Sequence, residues 1–163
     1  MPFISSTKDA EALTMTVVGE FDAGVDRVWQ LWEDPRQLER WWGPPLWPAT
    51  FATYDLRPGG GAHYFMTGPE GEQMHGFWRI TAVEAPHSMS FDDGFANSDG
   101  SPIDPADVLV SRVTIESSGQ GSRMTIFSRF LSTAQLEEMV QIGMEEGMTQ
   151  AVGQIDAILA ETA

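Results

Sequence analysis

The sequence predicts an α+β fold in which a strongly bent antiparallel sheet closes around a long C-terminal helix, the helix-grip arrangement. Three observations predict it. Six strand-like segments follow one another between Ala49 and Leu131, separated by Pro- and Gly-rich turns. A long amphipathic segment ends the chain. One strand and two short helices precede the meander. An antiparallel meander has one apolar face to bury, and a single long helix is enough to cover it.

The elements are justified in chain order. Residues 1–13 are polar between Ser5 and Glu11 and read as a flexible lead-in; residues 14–163 read as a single domain. Thr14–Phe21 is rich in β-branched residues and predicts the first strand. After Asp22-Ala23-Gly24 the period changes. Val25, Val28, Trp29 and Trp32 recur at helical spacing and predict a short helix. Asp34-Pro35-Arg36-Gln37 starts a second one, with Asp34 as cap, Pro35 in the first turn and Gln37 at the capping-box position. Gly43-Pro44-Pro45 stops it.

The meander strands are expected at 49–56, 62–67, 72–83, 88–91, 108–117 and 123–131. Between the fourth and fifth lies Asp92–Pro105, an acidic stretch full of Gly, Asn and Asp. It reads as a long mobile loop at the rim of a cavity. The closing helix is expected over Thr133–Glu161. Ser132 and Gln135 form its capping box, and Leu136, Val140, Met144, Gly147, Met148, Ala151, Ile155 and Ile158 share one broad face.

Composition removes whole classes of function. The 163 residues carry a formal net charge of −15, from 9 basic and 24 acidic side chains, and Lys8 is the one lysine. Such a chain repels phosphate backbones and anionic lipid, so neither nucleic acid nor membrane is an expected partner. No apolar run approaches the roughly 18–20 residues of a membrane helix. No signal-peptide h-region is visible, so the expected location is cytoplasmic. Cysteine is absent, which removes disulfides, thiol catalysis and cysteine-based metal sites. His63, His75 and His87 show no metal-ligand spacing, and neither a metal nor another cofactor is expected. No G-x-S-x-G or phosphate-binding loop occurs.

Candidate site residues come from the hairpin around Gly68-Pro69-Glu70-Gly71. If those four residues form the turn, His75 faces Tyr64. One face then carries Tyr64, Met66, His75, Phe77 and Arg79. Period alone does not decide which face lines the cavity. The Tyr64/His75/Arg79 face is favoured, because a few polar groups among aromatics and methionines is how small-molecule pockets are lined. Met144, Gly147 and Met148 would line it from the helix, and Trp41 would wall its mouth beside the Gly-Pro-Pro break. Methionine suits a promiscuous apolar ligand. An empty rigid cavity of about 300 Å³ would cost on the order of 7 kcal/mol at about 24 cal/mol per Å³. Such a space should hold water or ligand, or collapse onto flexible methionines.

Several stretches are similar to one family. FDAGVDRVWQLWEDPRQLERWWGPP (Phe21–Pro45), DLRPGG (Asp55–Gly60), Gly68-Pro69-Glu70-Gly71 and Met144-Glu145-Glu146-Gly147-Met148 occur in the order that family has them. The chain thus resembles the homologues of the activator of the heat-shock-protein-ninety ATPase, a branch of the START-like or SRPBCC superfamily with its Bet v-like folds. The resemblance spans about Thr14 to Leu159. It implies a helix-grip fold with a cavity between sheet and long helix, and a small hydrophobic or aromatic ligand as partner. Relatives include lipid carriers, polyketide cyclases and co-chaperones. Two alternatives therefore stand beside ligand binding: a cyclase/aromatase-like enzyme using His75 and Tyr64 as acid and base, and a co-chaperone-like ATPase activator. A homodimer is also a possible assembly.

Overall fold

The computed structural model describes residues 3–161. Its elements run β1 (Phe3–Asp9), β2 (Thr14–Phe21), α1 (Val25–Glu33), α2 (Pro35–Leu38), β3 (Ala49–Tyr54), β4 (Gly61–Thr67), β5 (Gln73–Glu84), β6 (Ser88–Phe95), β7 (Val108–Ser118) and β8 (Gly121–Arg129), then α3 (Thr133–Gln141), α4 (Met144–Val152) and α5 (Ile155–Glu161). The eight strands form one curved antiparallel sheet in the order β1-β2-β8-β7-β6-β5-β4-β3. The helices cover its concave face, so the predicted α+β class is the observed one. Among the described residues no helix is long and apolar enough to cross a membrane.

β2 alternates half-buried and buried positions, with Met15, Val17 and Phe21 turned to the core. α1 forms where the helical period predicted it, and α2 starts at its predicted cap but ends at Leu38, short of the expected Gly43-Pro44-Pro45 stop. Arg36 N–H donates to Asp34 Oδ1 at 2.9 Å, and Pro35 opens α2. Trp32 stands at the centre of an aromatic core. Its ring meets Trp41 edge-on at 4.7 Å and Trp42 at 5.7 Å, and its indole N–H donates to Met124 Sδ at 3.2 Å.

Three expectations need correction. The polar opening, read as a lead-in, is the edge strand β1, paired to β2 from Phe3↔Glu20 to Asp9↔Thr14. Asp9 Oδ1 accepts from the N–H groups of Glu11 and Ala12 and fixes the connecting turn. An edge strand needs no apolar alternation, which is why the pattern hid it. Next, β6 continues to Phe95, so Asp92–Phe95 belong to the sheet rather than to a loop. Finally, the C-terminal helical segment spans the predicted range but is broken. Gly143 adopts φ +83°, where a helix cannot continue, and separates α3 from α4. A second break at Gly153-Gln154 precedes α5.

Candidate functional site

The turn between β4 and β5 decides what the site contains. Gly71 N–H donates to Gly68 O, and Gly68 N–H donates to Glu72 O. Gly71 takes φ +86°. This is a three-residue loop, Pro69-Glu70-Gly71, closed by a left-handed glycine. A four-residue turn would pair Thr67 with Glu72; the observed register pairs Thr67 with Gln73 and Tyr64 with Gly76. The one-residue slip moves every β5 side chain to the other face relative to β4.

The correction is substantial. Tyr64 and Met66 share the concave face with Met74 and Trp78, whereas His75, Phe77 and Arg79 share the convex face with His63 and Phe65. His75 Nδ1 lies 2.8 Å from His63 Nε2. Phe77 is buried with Ala96 and Val108 in a small satellite cluster. Arg79 pairs with Asp92 at 3.4 Å and donates to Pro105 O at 2.7 Å. An acid/base pair of His75 with Tyr64 therefore has no geometric basis.

Tyr64 has a different partner. Its hydroxyl donates to Asp93 Oδ1 at 2.8 Å, reaching from β4 across β5 to β6. Gly76 makes the passage possible: a Cβ there would lie 2.4 Å from the Tyr64 ring. Enclosure in the core raises the Asp93 carboxyl to about 7, an effect the Tyr64 and Trp78 donors only partly oppose. Burial, and the neighbouring Asp93 charge, push the Tyr64 hydroxyl well above its ordinary value. The indole N–H groups of Trp42 and Trp78 act on the same hydroxyl. Neither has a hydrogen-bond partner in good geometry.

Tyr64 and Asp93 form part of the floor of a half-open pocket of about 440 Å³ between the sheet and the C-terminal helices. Met66, Phe95 and Leu109 continue the floor, and Trp42, Pro44 and Trp47 form one end. Met139 and Ile142 of the α3 end, with Met144, Gly147 and Met148 of α4, make the roof. A Cβ at Gly147 would meet nothing within 4 Å. At the far side Gln135 Nε2 donates to Asp107 Oδ1 at 2.8 Å, tying the start of α3 to the chain before β7. Its Oε1 accepts from Leu131 N–H, and Ser132 Oγ caps its own N–H.

Of the residues expected from sequence, Tyr64, Met66, Met144, Gly147 and Met148 stand on the pocket wall. His75 borders its mouth, but its ring contacts His63 on the convex side. Phe77 and Arg79 are outside it. Trp41 is also outside: its N–H donates to Leu31 O at 3.0 Å within the core, and the adjacent Trp42 lines the pocket instead. The segment after Phe95 is not at the rim. It folds back through an Ala96↔Pro102 bridge and covers the convex face, with Gly100 against the His63 ring. Asp93 was hidden by the acidic composition around it, although Met89, Phe91, Asp93 and Phe95 keep a period of two. No group of three or more His, Asp or Glu that could hold a metal ion occurs among the described residues.

The family model of Activator of Hsp90 ATPase homolog 1-like proteins matches residues 22–160. Among solved structures, the crystal structure of protein Ms6760 from Mycobacterium smegmatis is 45% identical, with a TM-score of 0.89 over 96% of this chain and 97% of that one. The solution structure of a protein from Arthrobacter aurescens is 54% identical, with a TM-score of 0.90 over 96% of this chain and 91% of its own. Protein NE0264 from Nitrosomonas europaea shares the fold at 24% identity, with a TM-score of 0.82 over 94% and 97% of the two chains. No curated protein matches the chain.

Proposed function

The chain belongs to the family of Activator of Hsp90 ATPase homolog 1-like proteins, and from that premise we propose that it binds a small hydrophobic or aromatic molecule between the sheet and α3–α4. The observation that carries this reading is the character of the wall. Methionines and aromatics surround a space of about 440 Å³, and a helical glycine faces that space where a side chain would begin to fill it. A volume of this size matches the range of small-molecule sites, roughly 300–1,000 Å³. Thioether side chains adapt to differently shaped apolar ligands.

Two measurements test the proposal. Native mass spectrometry of freshly purified protein should reveal a co-purified small molecule. The uncharged solvatochromic ketone 6-propionyl-2-(dimethylamino)naphthalene should bind saturably, with a blue-shifted emission, and Gly147→Leu should abolish the shift while the protein stays folded. Absence of both the adduct and the saturable shift would refute ligand binding. The family description names another activity, activation of the Hsp90 ATPase; for this chain, stimulation of that ATPase by added protein is the corresponding assay.

A further inference from the structure

We propose that the convex face of the sheet carries a docking patch for a short acidic segment of another protein, built from Arg112, Phe127 and Arg129 on β7 and β8. The strand register brings these residues together: Arg112 stands opposite Phe127, and Arg129 stands opposite Val110. Phe127 and Arg129 are two apart on β8, so their side chains share a face, while Ile126 and Ser128 turn to the core. Both arginines are exposed. Phe127 is 39% exposed, and Leu131, which continues the alternation past the end of β8, is 50% exposed. The apolar pocket lies on the other side of the sheet, under the helices.

What singles out these two arginines is that nothing neutralises them. The chain has 24 acidic side chains for 9 basic ones, and Lys8, Arg36, Arg40, Arg57, Arg79 and Arg123 each pair with a carboxylate. Arg112 and Arg129 make no ion pair or hydrogen bond among the described residues. The acids of the same face are committed elsewhere. Asp92, opposite Val110, pairs with Arg79. Asp9, opposite Thr14, accepts from the turn that follows it, and Glu20 pairs with Arg123. Each guanidinium therefore keeps a planar fork of donors that fits both oxygens of a carboxylate. Arginine and aromatic residues are the types enriched at protein interfaces, and arginine clusters hold acidic motifs. Spacing agrees: diagonal neighbours on a sheet stand about 7–8 Å apart, and same-side carboxylates of an extended chain about 6.5–7 Å.

The surroundings limit the partner to a short segment. Asp9, Asp92, Glu20 and Glu116 share the convex face and border the patch. A duplex or an anionic bilayer would reach past the arginines to these carboxylates and to the rest of a chain of net charge −15. A docked peptide would not, because the Debye length at 0.15 M salt is about 8 Å. A second copy docking by two-fold symmetry would set each arginine pair against its own like charge.

Two blocked heptapeptides test the patch by amide NMR titration at 0.15 M salt: Gly-Glu-Phe-Glu-Leu-Glu-Gly, and its counterpart with glutamine for each glutamate. The acidic peptide should shift the amides of residues 110–112 and 127–131, and the glutamine peptide should bind about tenfold more weakly or not at all. Arg112→Gln with Arg129→Gln should weaken the acidic peptide about tenfold or more, and Phe127→Ser a few-fold. Should the double variant fail to fold, the two peptides on the wild type carry the test alone. Absence of binding, equal binding of both peptides, or shifts confined to other residues would overturn the proposal. So would co-flotation with phosphatidylserine vesicles, retardation of duplex DNA, or a dimer in sedimentation, if the double variant removed it, because the patch would then serve a different partner. Ligand binding in the pocket is independent of each of these outcomes, since the two sites occupy opposite faces of the sheet.

Discussion

The Tyr64 ring passes over Gly76, and by doing so places its hydroxyl on Asp93 two strands away. The convex face repeats the device one strand further on. A Cβ at Gly94 would lie 2.6 Å from the Phe77 ring. In each case an aromatic ring occupies the space above a glycine of the neighbouring strand, and the glycine is spared the loss of packing it would otherwise bring.

Gly76→Ala should therefore destabilise the protein by about 1–3 kcal/mol, because the new methyl must displace the ring or the strand. Denaturant unfolding measures the loss. The same substitution should detach Tyr64 from Asp93, visible as a change in tyrosine absorbance. An unfolding midpoint equal to that of the wild type would contradict the packing described.

Asp93 sets a pH dependence of stability. The unfolded carboxyl loses its proton near its ordinary value of 3.8, and the folded one near 7. Between these values the folded state binds the extra proton, so stability falls as pH rises, by up to about 1.4 kcal/mol per unit. Above about pH 7 both states are ionised and this contribution levels off. Asp93→Asn removes it. The stability difference between variant and wild type should grow from pH 4 to pH 7 in favour of the variant, the other carboxylates cancelling in the comparison. A difference that is flat across that range would contradict the shift.

Gly147→Ala should stabilise the ligand-free protein by a few tenths to about 1 kcal/mol, since alanine favours the helix and the added methyl meets no neighbour. Paired thermal melts decide it. A lower melting temperature in the alanine variant would place something against this turn of α4.

The histidine pair on the convex face gives a fourth expectation. Desolvation and the His75 ring lower the His63 pKa, while Asp99 opposes them. In a proton NMR titration His63 should titrate below 6.5, and His75→Phe should move it upward. An unmoved His63 would show that the two rings do not communicate.

Much of this was legible in the residues. The caps at Asp34 and Ser132 and the turn residues of the meander each named an element correctly, because each rests on local chemistry; the apolar stripe after Ser132 marked a helical segment but not its breaks at Gly143 and Gly153-Gln154, and Val140 of that stripe is exposed. The site was less legible, for one reason of parity. Gly68-Pro69-Glu70-Gly71 announces a turn, but whether it encloses three residues or four depends on the conformation of Gly71. That single backbone choice separated Tyr64 from His75. Asp93 was missed because composition outweighed period: Asp-Asp-Gly looks like a loop, while the alternation from Met89 to Phe95 marks a strand. Trp41 and Trp42 are equivalent as letters. Which of them faces the pocket is fixed by how the end of α2 settles on Leu31 and Trp32.

The strand order carries a consequence for how the protein is made. β2 lies between β1 and β8, and residues that pair across β2 and β8 stand far apart in the chain, from Phe21↔Ser122 to Thr14↔Arg129, so β8 is synthesised long after β2. Until then one edge of β2 has no strand to pair with. The β1–β2 hairpin must wait, while β3 to β7 can pair with their neighbours as they emerge. Sheet completion is thus a late, long-range event, and such events are slow. In the interval the nascent chain offers an unpaired apolar strand, whose exposure β1 limits by occupying one edge with serine, threonine, lysine and aspartate.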